Sequence, residues 1–314
     1  MSDANVGATR GLLSLDDLVG SPKRRRRERR VGALLFATAF ASVVISALIV
    51  GSLVKETWTF VTQVDWSSVN EIGWFPRRGL YDMKTLILAS LIVTVVAMLV
   101  AAPLGLAAAI YMSEYAKPGV RRLLKPVLEI LAGIPSVVLG FFALQFISPE
   151  FVDRFFDAGR QNLLAAGIGV GVLTIPLVAS ISEDALSAVP PALREASAGL
   201  GARKHTTSLS IVLPAAVSGL VAALIVAVSR AIGETMVVFI AGGGGDGALF
   251  TNDPRDPGMT MTAAMASVAG GTDSVVGEGL TFQSLFFVGF VLFVITLALN
   301  TIADRFVRRV RQAY

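Results

Sequence analysis

Long uninterrupted apolar runs, rather than strict alternation or a single helical stripe, dominate the pattern of this chain. Six of them, at about 31–54, 85–112, 127–147, 163–181, 215–240 and 282–303, approach the ~20 residues that a helix needs to cross hydrocarbon. The pattern predicts an all-α polytopic membrane protein with six transmembrane helices. Residues 1–30 are polar and carry Lys23-Arg24-Arg25-Arg26-Arg27-Glu28-Arg29-Arg30, a run that buries no core and suits a membrane surface. The expected organisation is a basic tail over 1–30, a first span and outer segment over 31–83, and a core over 84–314 with a polar loop at 182–214.

Composition agrees: 54% hydrophobic residues, 16% charged and a mean hydropathy of +0.69 describe a chain whose solvent is the bilayer. The first apolar run is too long for a cleaved secretory signal. The absence of Cys excludes disulfides, thiol catalysis and cysteine zinc sites. His205, the single histidine, follows Lys204 with no second His nearby, which predicts a solvated side chain and not a metal ligand or base. No catalytic or metal-binding residue is expected.

Lys and Arg orient the spans, because cytoplasmic flanks carry the excess. With the amino terminus inside, 19 of the 27 lie in inner segments and 7 in outer ones, leaving Arg230 within a span. Both termini are therefore expected in the cytoplasm, at the cell membrane. The last outer segment collects Asp246, Asp253, Asp256, Asp273 and Glu278 against Arg255. Trp58, Trp66 and Trp74 share the first outer segment, where indoles favour headgroup level; docking of an external partner is a second reading. The glycine-rich run 242–247 lacks a following Gly-Lys-Ser/Thr and reads as a flexible exit from the fifth span.

The loop at 182–214 is longer than a turn requires, which predicts a structured surface for a cytoplasmic partner. Pro190 and Pro191 suit the first turn of a short helix, Gly199 and Gly201 a sharp end to it, and Pro214 the start of the next span. Glu195-Ala196-Ser197, then Gly201, Ile211, Leu213 and Pro214 at fixed spacing, resemble the EAA signature of ABC importer permeases, with Ser197 in place of the second alanine. The resemblance implies a type I, MetI-like permease whose short loop helix sits in a groove of a separate ATPase. ATP and magnesium would then be bound by that partner, and no cofactor by this chain. Glu195 is expected to pair with a base such as Arg203.

Arg230 and Glu234 stand four apart inside the fifth span, where each charge costs about 2.5–3.5 kcal/mol. That spacing lets them pair on one face. A structural tie between helices and an anion path both fit; in the second, Ser229 and Thr235 add donors. Arg230-Ala231-Ile232-Gly233-Glu234-Thr235-Met236 is similar to the matching helix of phosphate-importer permeases of the PstC type. So is Leu131-Ala132-Gly133-Ile134-Pro135-Ser136-Val137-Val138, which adds Ser136 to the path. This resemblance implies a second, related permease (PstA type), two copies of an ATPase (PstB type) and an external phosphate-binding protein (PstS type). A permease for another oxyanion, molybdate or sulfate, is the nearest rival, and a scaffold or sensor subunit a more distant one. Pro103, Pro135 and Pro176 fall within predicted spans, where they would bend them.

Overall fold

The computed structural model describes residues 22–70, 72–243, 245, 247–270 and 279–310. Expectations for residues 1–21 and for Asp246, Asp273 and Glu278 lie outside the described residues. Residues 1–52 and 53–314 form two units. Helix α1, Pro22–Gln63, begins in the first, where Leu34, Phe36, Leu48 and Ile49 are all exposed, as lipid contact requires.

Among the described residues, the second unit consists of helices and their connections with one two-stranded hairpin, Trp74–Phe75 against Leu80–Tyr81. In order come α2 (Met83–Tyr115), α3 (Pro118–Ala132), α4 (Ser136–Phe156), α5 (Leu163–Ser187) and α6 (Pro191–Gly199). Then follow α7 (Lys204–Ile232), α8 (Met236–Val238, continued by a π-helical turn), α9 (Met261–Ala269) and α10 (Thr281–Val310). Among the described residues, six helices, α1, α2, α4, α5, α7 and α10, are long and apolar enough to span a membrane. Their starts follow local chemistry. Asp82 caps α2 by accepting from the Lys84 N–H at 3.0 Å, and Asn162 caps α5 by accepting from that of Ala165 at 2.6 Å.

Two of the predicted spans are displaced. The third, expected at 127–147, is α4, and the segment before it is a separate amphipathic helix, α3, that buries no residue. Pro135 therefore does not bend a span; it opens one, while Pro103 and Pro176 do sit inside α2 and α5. The fifth, expected at 215–240, starts at Lys204 and stops at Ile232. Pro214 lies inside this rod, because a π-helical turn at Ser208–Val212 widens the backbone just before it, with the Leu213 N–H donating to the Ser208 carbonyl.

The core is built on α2 and α5, which run side by side in the same direction. Gly167 and Gly171 of α5 lie against Val96 and Val100 of α2, and Gly105 of α2 against Val178 of α5. A Cβ on Gly167 would meet that of Val96 at 2.6 Å, so backbones approach as glycine alone permits. Around this seam α4 and α8 pack through Leu139, Ala143, Val237 and Val238.

Connections gather at two ends. At one, the Trp74 N–H donates to the Ala248 carbonyl (2.7 Å), and those of Leu163 and Leu164 to Asp256 and Pro254 (3.0 and 2.7 Å). Trp74 is thereby core, 1% exposed, whereas Trp58 and Trp66 stay exposed. The described ends of the glycine-rich run are held here: Gly247 has φ +129° and lies against Phe75, and the Gly242 carbonyl accepts from Gly258 at 2.8 Å. At the other end, called the loop end below, α3 and α6 meet the tips of α2 and α5. Gly167→Leu is expected to lower stability by about 1–3 kcal/mol through overpacking. Thermal unfolding in detergent checks this against Gly119→Leu, whose site has nothing within 4 Å.

Candidate functional site: a broken helix and a loop helix

α7 ends halfway along the bundle. Its Ala227 packs with Ala101 of α2 and Val178 of α5, and its Ala231 belongs to the cluster of Ala97 and Val170. Those positions are mid-helix in α2 and α5, so Arg230, in the last turn of α7, sits at membrane-centre depth. The backbone then leaves helical geometry over residues 233–235 before α8 begins. In hydrocarbon such a break is tolerated only where protein satisfies the freed groups. Here the Glu234 N–H donates to Ala231 (3.2 Å), and the Glu234 carbonyl accepts from Thr262 Oγ1 of α9 (2.7 Å). α9 is tied in turn to α2, since Ser90 Oγ accepts from the Met261 N–H at 3.0 Å.

The two charges do meet, and unequally. Glu234 is 6% exposed and Arg230 56%, with 3.9 Å from Nη2 to Oε2, inside ionic range but beyond a hydrogen bond. The pairing is a loose one, and the Arg230 side chain as a whole stays exposed. Of the companions expected from the sequence, Ser229 turns away and donates to Asn300 Oδ1 of α10 at 2.7 Å. Thr235 reaches the Gly233 carbonyl at 3.4 Å. Ser136 opens α4, half-buried, with no hydrogen bond to Arg230 among the described residues.

A second break, over residues 133–135 between α3 and α4, packs Ile134 on the same cluster as Ala231 and Val237. Gly140 lets α4 close on α8, since a Cβ there would meet the Met236 carbonyl at 3.1 Å. Both segments singled out in the sequence, 131–138 and 230–236, are thus helix breaks beside one core. Discontinuous helices are where membrane transporters hold their substrates.

At the loop end, α6 begins with Pro191 in its first turn after Pro190, and Gly201, at φ +74°, makes the left-handed turn that ends it. Glu195 and Ala196 are exposed, and no ion pair joins Glu195 to Arg203 among the described residues. The neighbouring Arg194 does the fixing. Its Nε and Nη2 donate to Glu114 Oε1 of α2 (3.3 and 2.9 Å), Nη2 also to the Leu186 carbonyl (2.8 Å), and Nη1 to that of Val189 (2.6 Å). Ser197, buried, bonds Thr207 across its hydroxyl at 2.8 Å and so ties α6 to the first turn of α7.

Ile211 is half-buried and Leu213 packs with Val212 and Ala216, while Pro214 is exposed. Leu200, at the turn, is 89% exposed, an apolar side chain offered outward beside Ala196, Ala198 and Gly199. His205 is exposed as expected, and Lys204 lies over the Tyr115 ring at 5.3 Å. Neither Arg194 nor Leu200 carried a signal in the motif; only an apolar residue between two glycines hinted at the second. Arg194→Met should cost about 3 kcal/mol or more by stranding the Glu114 carboxylate, which is 6% exposed. Detergent melting curves check this, with Glu114→Gln added to recover part of the loss.

The model of the family described as "Binding-protein-dependent transport system inner membrane component" matches residues 101–312. A Bacillus subtilis (strain 168) relative, "Probable ABC transporter permease protein YqgH", is 32% identical over 90% of this chain and 93% of its own length. The Mesorhizobium japonicum "Phosphate transport system permease protein PstC" is 28% identical over 91% and 92%. Among solved structures, a bacterial alginate ABC transporter in complex with its periplasmic protein superposes with a TM-score of 0.63 at 14% identity, covering 93% of this chain and 98% of that one, a likeness of fold alone. The two tied helix breaks, the loop helix and these matches agree: the chain belongs to the binding-protein-dependent transport system inner membrane components, the permeases of ABC transporters.

Proposed function

We propose that this chain is the permease subunit of an ATP-driven importer that carries inorganic phosphate into the cytoplasm. One observation carries the reading: at mid-bundle, where a charge is expensive, the Arg230 side chain stays 56% exposed while its counter-ion Glu234 is buried and only loosely paired. A guanidinium matches phosphate oxygens two at a time and stays protonated at any physiological pH. Glu234 neutralises it between turnovers, and a passing anion takes the place of the carboxylate. Inorganic phosphate carries roughly one to two negative charges near neutral pH, more than one Arg balances. A second, related permease of the PstA type supplies the rest. The curated relatives named as phosphate permeases support this substrate.

Glu195, Ala196, Ser197, Gly201, Ile211, Leu213 and Pro214 form the coupling element toward an ATPase dimer of the PstB type, which binds the ATP and magnesium. Small exposed residues around Leu200 let a partner groove close on the α6 backbone. An external phosphate-binding protein of the PstS type delivers substrate at the opposite end. In this orientation both termini are cytoplasmic at the cell membrane, with the charge bias of the connections as support.

Arg230→Gln, inserted normally, is expected to cut phosphate uptake by about tenfold to a hundredfold, the size of a hydrogen bond to a charged group. Uptake that stays intact defeats the anion path, and uptake of sulfate or molybdate in place of phosphate by the unaltered importer selects the rival substrate. Gly201→Trp is expected to leave ATP hydrolysis running while uptake falls, as measured in reconstituted vesicles; normal uptake there removes the coupling role.

A further inference from the structure

Glu183 is a carboxylate that nothing above employs. It lies near the loop end of α5 with its side chain 1% exposed, and burying an ion there is unfavourable unless every oxygen is held. Three groups hold it. Arg121 Nη2 of α3 donates to Oε1, Lys125 Nζ of α3 to Oε2 at 3.1 Å, and Ser187 Oγ to Oε1 at 3.0 Å. Lys125 also bonds Asp184 at 3.1 Å, and Arg121 also reaches Ser187 at 3.0 Å. Hydrogen bonds to Asp184 and then Glu183 hold the Lys125 ammonium above its ordinary range.

The helix on the other side of this joint is unusual. α3 fully buries none of its residues; of its apolar side chains, Leu124 and Leu128 are only half-buried. Val120, Leu123, Val127 and Ile130 are exposed, while Arg121 and Lys125 point to α5. The contacts that fix α3 on α5 are therefore chiefly ionic. Its far end runs directly into the break over residues 133–135, whose Ile134 packs on the cluster that holds Ala231. Immediately past Glu183, the carbonyls of Leu186 and Val189 are gripped by Arg194 of the loop helix.

We infer that Glu183 is a positioning residue: it joins α3 to α5 so that displacement of α6 by the ATPase reaches the break over residues 133–135 along α3, in parallel with the direct route through α7. A stroke delivered to α6 moves the tip of α5 through Arg194. Glu183 carries that movement into α3, and α3, free of the core, transmits it as a rigid rod to the backbone hinge beside Arg230. An ionic joint suits this task because buried ion pairs specify geometry better than they add stability.

This rests on the importer reading, and the test separates the two. Glu183→Gln removes the buried charge and leaves two cations whose side chains are already about 40% exposed, so the fold is retained. In the complete importer reconstituted in vesicles, ATP hydrolysis should stay near normal while phosphate moved per ATP falls about fivefold or more, the scale of an allosteric coupling of 1–3 kcal/mol. An unchanged ratio overturns the inference. The chain has no Cys, so Gly119→Cys on α3, where nothing lies within 4 Å, and Ala192→Cys at the exposed start of α6 accept spin labels. With Glu183 present, the label separation should keep one narrow distribution with and without trapped ATP; Glu183→Gln should broaden it. Identical distributions in both backgrounds also overturn the joint. If the unaltered importer moves no phosphate, the substrate reading fails alone, and the label distances still decide the role of Glu183.

Discussion

A backbone that leaves helical geometry at membrane depth must find each hydrogen-bond partner within the protein, and the arrangement of this chain follows from that constraint. α7 stops at Ile232, and the freed groups of Glu234 are met by Ala231 and by Thr262 of α9. α9 has no place in a simple count of spans. Its Thr260 cap, its Thr262 hydroxyl and the Met261 N–H held by Ser90 make it the piece that lets the fifth span break. Once the break is paid for in this way, Glu234 can be buried and Arg230 left open, which a continuous helix with a tight four-residue pair would not give.

The same economy of polar groups governs the loop end. Helices meet there through ionic contacts and not through apolar packing alone: Arg194 with Glu114, and Glu183 with Arg121 and Lys125. Mid-bundle, by contrast, α2 and α5 are held by backbone approach at Gly105, Gly167 and Gly171, with no polar side chain needed. The close-packed seam runs past the depth of Arg230, and the ionic joints lie at the loop end, where we propose that an ATPase docks.

How much of this was legible in the residues follows from the range of each signal. Apolar runs, basic flanks and the spacing from Glu195 to Pro214 are local and additive, so six spans, a structured loop with a short helix and the Arg230–Glu234 pairing are legible directly. The start of α7 was missed because Pro214 is a strong local stop; only the π-helical turn before it lets the helix continue. The end of α3, residues 127–132, falls in the expected third span because Val127, Leu128, Ile130 and Leu131 join the apolar run that continues past the break at 133–135. Trp74 was placed at headgroup level by residue type, yet the Ala248 pairing closes over it and puts it in the core.

The choice of Arg194 over Glu195 as the anchor of α6 depends on Glu114, eighty residues earlier in the chain, and no spacing rule reaches that far. Glu183 likewise gained its meaning only when α3 came alongside. By itself the sequence determined the solvent, the number of crossings, the family signature and which two charges enter the membrane, because each is set by hydropathy or by neighbours within a few residues. Tertiary structure alone decided where the helices break, which charges are buried and which helix tips are tied together, because burial and ion pairing depend on segments that meet only after the chain has folded.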